Sequence, residues 1–174
     1  MPIDILIVLI LLEFFFAGFM FWISWSSIIG APWLPTPKDR ARDMLALADI
    51  DENDIVYDVG SGDGRIIIIA ACEFGAKSIG IEADPLRVIW SRLAIRRHGL
   101  AKMVDVQREN FFNSNLEDAT VITVYQGKDV NKKLREKFSR DLKPGTRIVS
   151  YRFKIEGWKP VKTNEEASSY LYVI

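Results

Sequence analysis

The chain has 174 residues, and its 23 Lys and Arg are balanced by 23 Asp and Glu. That length allows one globular domain plus a small addition. Zero net charge argues against a non-specific nucleic-acid binder, and a 26% charged fraction against a polytopic membrane protein. A lone cysteine, Cys72, and a lone histidine, His98, exclude an internal disulfide framework and leave no Cys/His cluster for a structural metal.

The charge balance averages two unlike parts. Residues 1–30 hold Asp4 and Glu13 and no Lys or Arg, which leaves 23 basic and 21 acidic groups for the other 144 residues. From Ile5 to Ile23 the chain reads ILIVLILLEFFFAGFMFWI. As a helix, these residues span about 28 Å, close to the ~30 Å of a bilayer core. Glu13 opposes insertion by roughly 2.5–3.5 kcal/mol, whereas the Val, Ile, Leu and Phe residues of the window return roughly 4–8 kcal/mol. Insertion therefore wins. Glu13 reads either as a tolerated or protonated carboxyl or as a contact to another membrane protein.

The competing reading is a cleaved signal peptide, but no Lys or Arg precedes Lys38 to form its basic region. We therefore expect a retained single-pass anchor over residues 1–30, meeting lipid through residues 5–23, and a separate domain over 31–174. Trp22, Trp25 and Trp33 suit the interface beyond it. Lys38, Arg40 and Arg42 place the second part on the cytoplasmic (or matrix) side.

Gly30–Pro37 reads GAPWLPTP, an extended connector with three prolines. Thr36 is the expected N-cap of a helix over Pro37–Ala48, with Ala41, Met44, Leu45 and Ala48 on its apolar face. Strands and helices then alternate. The spacing predicts strands at Ile55–Val59, Ser78–Glu82, Val104–Gln107, Val121–Tyr125, Arg147–Phe153 and Tyr170–Ile174. It predicts helices at Arg65–Phe74, Pro85–His98 and Asn131–Phe138. In the second of these, Leu86, Ile89, Trp90 and Leu93 form the expected core-facing stripe. Cys72 is expected in the core, and His98 as a favourable charge at a helix C-terminus. Such alternation implies an α/β fold with a mostly parallel sheet covered on both faces.

The stretch IVYDVGSGDGR, Ile55–Arg65, lies at a strand-to-helix turn. Gly60, Gly62 and Gly64 let the backbone turn tightly and approach a ligand, and Ser61 lies between the first two. The helix that follows directs its positive end at the loop. The spacing is G-x-G-x-G, and Asp58 and Asp63 flank it. Those acids repel a pyrophosphate but suit a ligand with an ammonium group. Glu82 closes the second strand, where a carboxylate accepts hydrogen bonds from ribose hydroxyls. S-adenosyl-L-methionine has a ribose, an amino-acid end and no phosphate, and fits all three constraints. A purely structural turn leaves the two acids beside three glycines without explanation.

The sequence resembles the seven-β-strand AdoMet-dependent methyltransferases, and within them the archaeal protein-lysine methyltransferases and their membrane-anchored mitochondrial relatives. The resemblance covers about residues 31–174. It rests on PWLPTP (Pro32–Pro37), DVGSGDGRI (Asp58–Ile66), GIE (Gly80–Glu82), NFF (Asn110–Phe112) and LKPGTRIVS (Leu142–Ser150). It implies a Rossmann-like seven-strand sheet, with Trp33 and Thr36 over the cofactor and Asn110 and Phe111 at the adenine. Trp33 departs from the tyrosine usual at its position.

Transfer to lysine requires desolvation and in-line alignment of the amine, and no strong general base. Tyr125 and Gln126, in the loop after the fourth strand, are the substrate-facing candidates, although Tyr125 also suits simple strand packing. Ser150 and Tyr151 are weaker candidates. Arg92, Arg96, Arg97 and Lys102 read as a solvated basic face, or as a surface for anionic lipid or an acidic substrate. The leading expectation is a membrane-anchored protein-lysine methyltransferase with a protein substrate and no nucleic acid. A lipid or small-molecule methyltransferase and a non-catalytic AdoMet-binding scaffold are the alternatives.

Overall fold

The computed structural model describes residues 2–29 and 34–174, with side chains omitted for 22–29. Trp33, and the side chains of Trp22 and Trp25, lie outside the described residues. The chain divides into two compact units, Met1–Leu34 and Pro35–Ile174. The first is helix α1 (Ile3–Ile29). Its stretch Ile3–Phe21 has a mean hydropathy of 2.5 and buries none of its side chains within the protein.

The second unit carries one seven-stranded sheet. Its elements in order are α2 (Lys38–Leu47), β1 (Ile55–Val59), α3 (Arg65–Phe74), β2 (Lys77–Glu82), α4 (Pro85–Arg97), β3 (Val104–Arg108), β4 (Val121–Val124), α5 (Lys128–Asp141), β5 (Arg147–Tyr151), β6 (Lys162–Asn164) and β7 (Ser169–Val173). The strand order is β3-β2-β1-β4-β5-β7-β6. β3, β2, β1, β4 and β5 run parallel, and β7 pairs antiparallel with β5 and β6. β1 and β4 are neighbours in the sheet but not in sequence. The order reverses there, and the carboxyl edge beside such a switch point opens a crevice for a ligand.

Alternation along the strands sorts the core into two faces. Val56, Val121 and Val149 pack with Met44 and Leu45 of α2 and Ile66 and Ile69 of α3. Tyr57, Ile122 and Ile148 pack on the opposite face with Leu134 and Phe138 of α5. Val88 and Ile95 of α4 close a smaller cluster with Ile67, Val104 and Val106. At the amino edge, Arg147 bonds the carboxylate of Asp54 and the carbonyls of Ala48 and Asp49, tying the end of α2 to the sheet.

Four expectations are corrected. The stripe Leu86, Ile89, Trp90 and Leu93 faces outward, with 46, 58, 52 and 44% of each residue exposed. The inner face of α4 instead carries Arg87, Val88, Ser91 and Ile95. Cys72 is exposed on α3 and not in the core. Thr36 does not cap α2: Pro37 holds the N-cap position, and Thr36 is buried with its carbonyl accepting from Arg65 Nη1 at 2.9 Å. α5 begins at Lys128, three residues before the expected start. Further differences are small: β6 (Lys-Thr-Asn) is too short and polar for alternation to reveal, and β5 stops at Tyr151 because Arg152 turns to φ 64°.

Candidate active site

The glycine loop is held by backbone and side-chain bonds from β2 and α4. The amides of Gly60 and Ser61 donate to the Ile81 carbonyl at 2.9 and 3.0 Å, so the loop folds over the end of β2. Glu82 accepts from the Gly62 amide with one oxygen and from the Asp84 amide with the other, both at 2.8 Å. Each oxygen keeps a second lone pair for a further donor. Ser91 Oγ donates to the Gly62 carbonyl at 2.8 Å. This bond explains a polar residue on the inner face of α4.

Asp58 is the penultimate residue of β1 and is buried. Thr123, its partner across the β1–β4 ladder, donates its hydroxyl to Asp58 Oδ1 at 2.8 Å. Burial pushes the Asp58 carboxyl from 3.8 up to about 7; the Thr123 bond works against this, while Glu82 and Asp63 add repulsion. A buried acid among acids is a site prepared for a cation. Asp63 is differently engaged. It pairs with Arg65, which donates Nε to Asp63 Oδ1 at 2.9 Å and reaches on to the Thr36 carbonyl. Burial favours the neutral Asp63, but the Arg65 bonds prevail and hold its carboxyl below the usual range.

Gln126 is buried and donates Nε2 to the Val59 carbonyl at 3.1 Å. A Cβ at Gly60 (φ 86°) would lie 2.3 Å from that nitrogen, so the close approach requires glycine. Tyr125 lies two residues beyond Thr123, on the same face of the sheet as Asp58. Its ring packs edge-on to Tyr151 at 4.8 Å and stacks with Phe153 at 6.4 Å. Arg152 Nη1 donates to its hydroxyl at 3.2 Å. Beyond β3, the Glu109 amide bonds the Glu82 carbonyl at 3.1 Å, which brings the next residues to the same edge. There Asn110 is exposed and accepts from the Phe112 amide at 3.0 Å, while Phe111 is half-buried against Phe112.

Asp58, Gly60, Ser61, Gly62, Asp63, Gly64, Glu82, Asn110, Phe111, Tyr125 and Gln126 thus gather at the carboxyl edge of β1 to β4, and Arg65 ties Thr36 to the loop. Thr123, Ser91 and Arg65 escaped the sequence reading. A threonine inside the fully buried β4 was the available signal for the first. The other two give no signal until the loop is folded. The residues fit S-adenosylmethionine: a buried, uncompensated carboxylate for its ammonium, and a glycine cradle with a second acid for its ribose.

A family model for the ANTKMT methyltransferase domain matches residues 58–162. The chain belongs to this family. A protein-lysine N-methyltransferase of Saccharolobus islandicus is 40% identical over 82% of this chain and 93% of its own length. The adenine nucleotide translocase lysine N-methyltransferase of mouse is 33% identical over 81% of this chain, which spans 61% of that relative's length. A crystal structure described as an RNA methyltransferase of Salinibacter ruber with S-adenosyl-L-homocysteine has a TM-score of 0.79 and 41% identity, covering 81% of this chain and 94% of that one. The protein is an AdoMet-dependent methyltransferase with a Rossmann-like fold.

Proposed function

We propose that this methyltransferase modifies the side-chain amine of lysine in a protein substrate. The observation that carries the reading is the aromatic group Tyr125, Tyr151 and Phe153 on the Asp58 face of the sheet, in a chain that matches a protein-lysine N-methyltransferase over most of its length. S-adenosylmethionine supplies an electrophilic methyl group carried on a sulfonium. Asp58 holds the ammonium, Glu82 the ribose hydroxyls, and Asn110 and Phe111 the adenine. The loop Gly60–Gly64, with Ser61 and Asp63, fixes the amino-acid end, and Thr36, held by Arg65, lies beside it.

Lysine is protonated at neutral pH, with a pKa of ~10.4, and the ammonium has no lone pair. The aromatic walls favour the neutral amine by excluding water, and their faces also accept a methylated ammonium. Gln126, pinned against Val59 and Gly60, is the polar group beside Tyr125 and orients the incoming amine.

In the same proposal, residues 1–30 form a single-pass membrane anchor and residues 31–174 the catalytic domain, on the cytoplasmic (or matrix) side. The length and hydropathy of Ile3–Phe21 support this. The substrate is then a membrane protein or a membrane-bound complex. Incubation of the full chain with membrane fractions and methyl-labelled AdoMet tests the reading. Label in protein, lost in Glu82→Ala, is expected. Label confined to lipid, to RNA or to no acceptor would instead support a lipid enzyme, an RNA enzyme or a binding scaffold.

A further inference from the structure

Helix α4 carries apolar residues on both of its faces. Its inner face packs Val88 and Ile95, with Arg87 and Ser91, against the protein, and its outer face presents Leu86, Ile89, Trp90 and Leu93. These outer positions follow the i, i+3, i+4, i+7 spacing of one stripe, about two turns long. Arg96 and Arg97 continue the same stripe into the last turn and are exposed. Arg92 flanks it, and Lys102 follows after the turn, both exposed. A soluble domain rarely shows so continuous an apolar strip, and an apolar strip running into arginines is the pattern of a helix lying in a lipid interface.

We infer that the outer face of α4 docks on an anionic bilayer surface, with Leu86, Ile89 and Leu93 entering the acyl boundary and Arg96 and Arg97 meeting lipid phosphates. The inference rests on the anchored reading of residues 1–30. Only residues 30–37 separate α1 from α2, so an anchored chain keeps a bilayer within reach. The docked face also adjoins the chemistry. Leu86 is four residues from Glu82, and Asp84 between them caps α4 and bonds Glu82 through its amide. Docking would hold the cofactor edge close to the membrane surface, where lysines at the ends of membrane-spanning segments emerge. It would also select for them over lysines far from the bilayer.

The test uses the full chain with Cys72→Ser and Ile89→Cys, carrying an environment-sensitive fluorophore and reconstituted with phosphatidylcholine–phosphatidylglycerol vesicles. Lys133→Cys on α5 serves as the comparison site. At position 89 we expect a blue-shifted emission that nitroxides on the upper acyl chain quench, with neither effect at 133. Arg96→Ser and Arg97→Ser should each weaken docking roughly fivefold at low salt. A blue shift without lipid quenching would mean that protein covers the face, either this chain, a second copy or a partner, and would overturn the inference. An unshifted label on chains that float with vesicles would overturn docking and leave the anchor standing. Failure to float would overturn both.

Discussion

The carboxylate of Asp58 concentrates the electrostatics of the site into one residue. Its pKa of about 7 comes first from burial, opposed by the Thr123 bond and reinforced by Glu82 and Asp63. Its neutral form is favoured in the folded chain, so the associated stability is fully present below about pH 4 and is lost as pH rises towards 7. The rise from 3.8 to about 7 corresponds to roughly 4 kcal/mol as an upper bound. Asp58→Asn keeps an acceptor for Thr123 and removes that charge. Denaturant titration of the cofactor-free protein at pH 8 should show the variant more stable by about 1–4 kcal/mol. The same variant should lose cofactor affinity, because the ammonium loses its partner. Calorimetry at pH 6 should record proton release on AdoMet binding by the wild type and none by the variant. Gly60→Ala acts through packing and not through charge. Its Cβ would displace Gln126, so methyl transfer should fall at least tenfold while global stability changes by about 1–2 kcal/mol.

Among the elements, α4 shows best what a sequence can and cannot reveal. The spacing of Leu86, Ile89, Trp90 and Leu93 gives a helix and a stripe, and both are present. It does not say on which side the sheet lies. That side is set by Ser91, whose hydroxyl must reach Gly62, and by Val88 and Ile95, which fill the space over Val104 and Val106. The two faces make opposite demands on stability. Ile95→Ala should cost about 2–4 kcal/mol in denaturant titration, whereas Leu93→Ser should fall within about 0.5 kcal/mol of wild type. β1 was legible because a run of apolar residues meets a glycine loop, and its bounds match to the residue. β6 was not, because three polar residues gain their strand geometry only by pairing with β7. Asp58, Glu82 and the three glycines stand out as candidates from their spacing and their strand-to-helix context. The bonds of Thr123 to Asp58 and of Arg65 to the Thr36 carbonyl do not, since they join groups 65 and 29 residues apart in the chain.

At the scale of the whole molecule, a sheet of seven strands brings two polar centres to its opposite edges. The carboxyl edge carries the candidate site. The amino edge carries the bond between Arg147 and Asp54, backed by Thr120. Burial disfavours the charged Asp54, but the bonds from Thr120, the Asp51 backbone and Arg147 outweigh it and hold its pKa low. A lowered carboxyl contributes stability that is present above the usual carboxylate range and is lost as pH falls through the folded-state value. Arg147→Met should therefore cost about 3 kcal/mol near neutrality, and less below pH 3, in thermal or urea unfolding.

In the proposed reaction, AdoMet is held by Asp58, Glu82 and the glycine loop, and its methyl group is delivered to lysine. Mass spectrometry of membrane proteins incubated with AdoMet and the full chain tests it most directly. New methyl groups on lysine side-chain nitrogens with the wild type, absent with Glu82→Ala, are the predicted result. Unmodified lysines alongside methylated RNA or lipid, or no cofactor turnover at all, would contradict it.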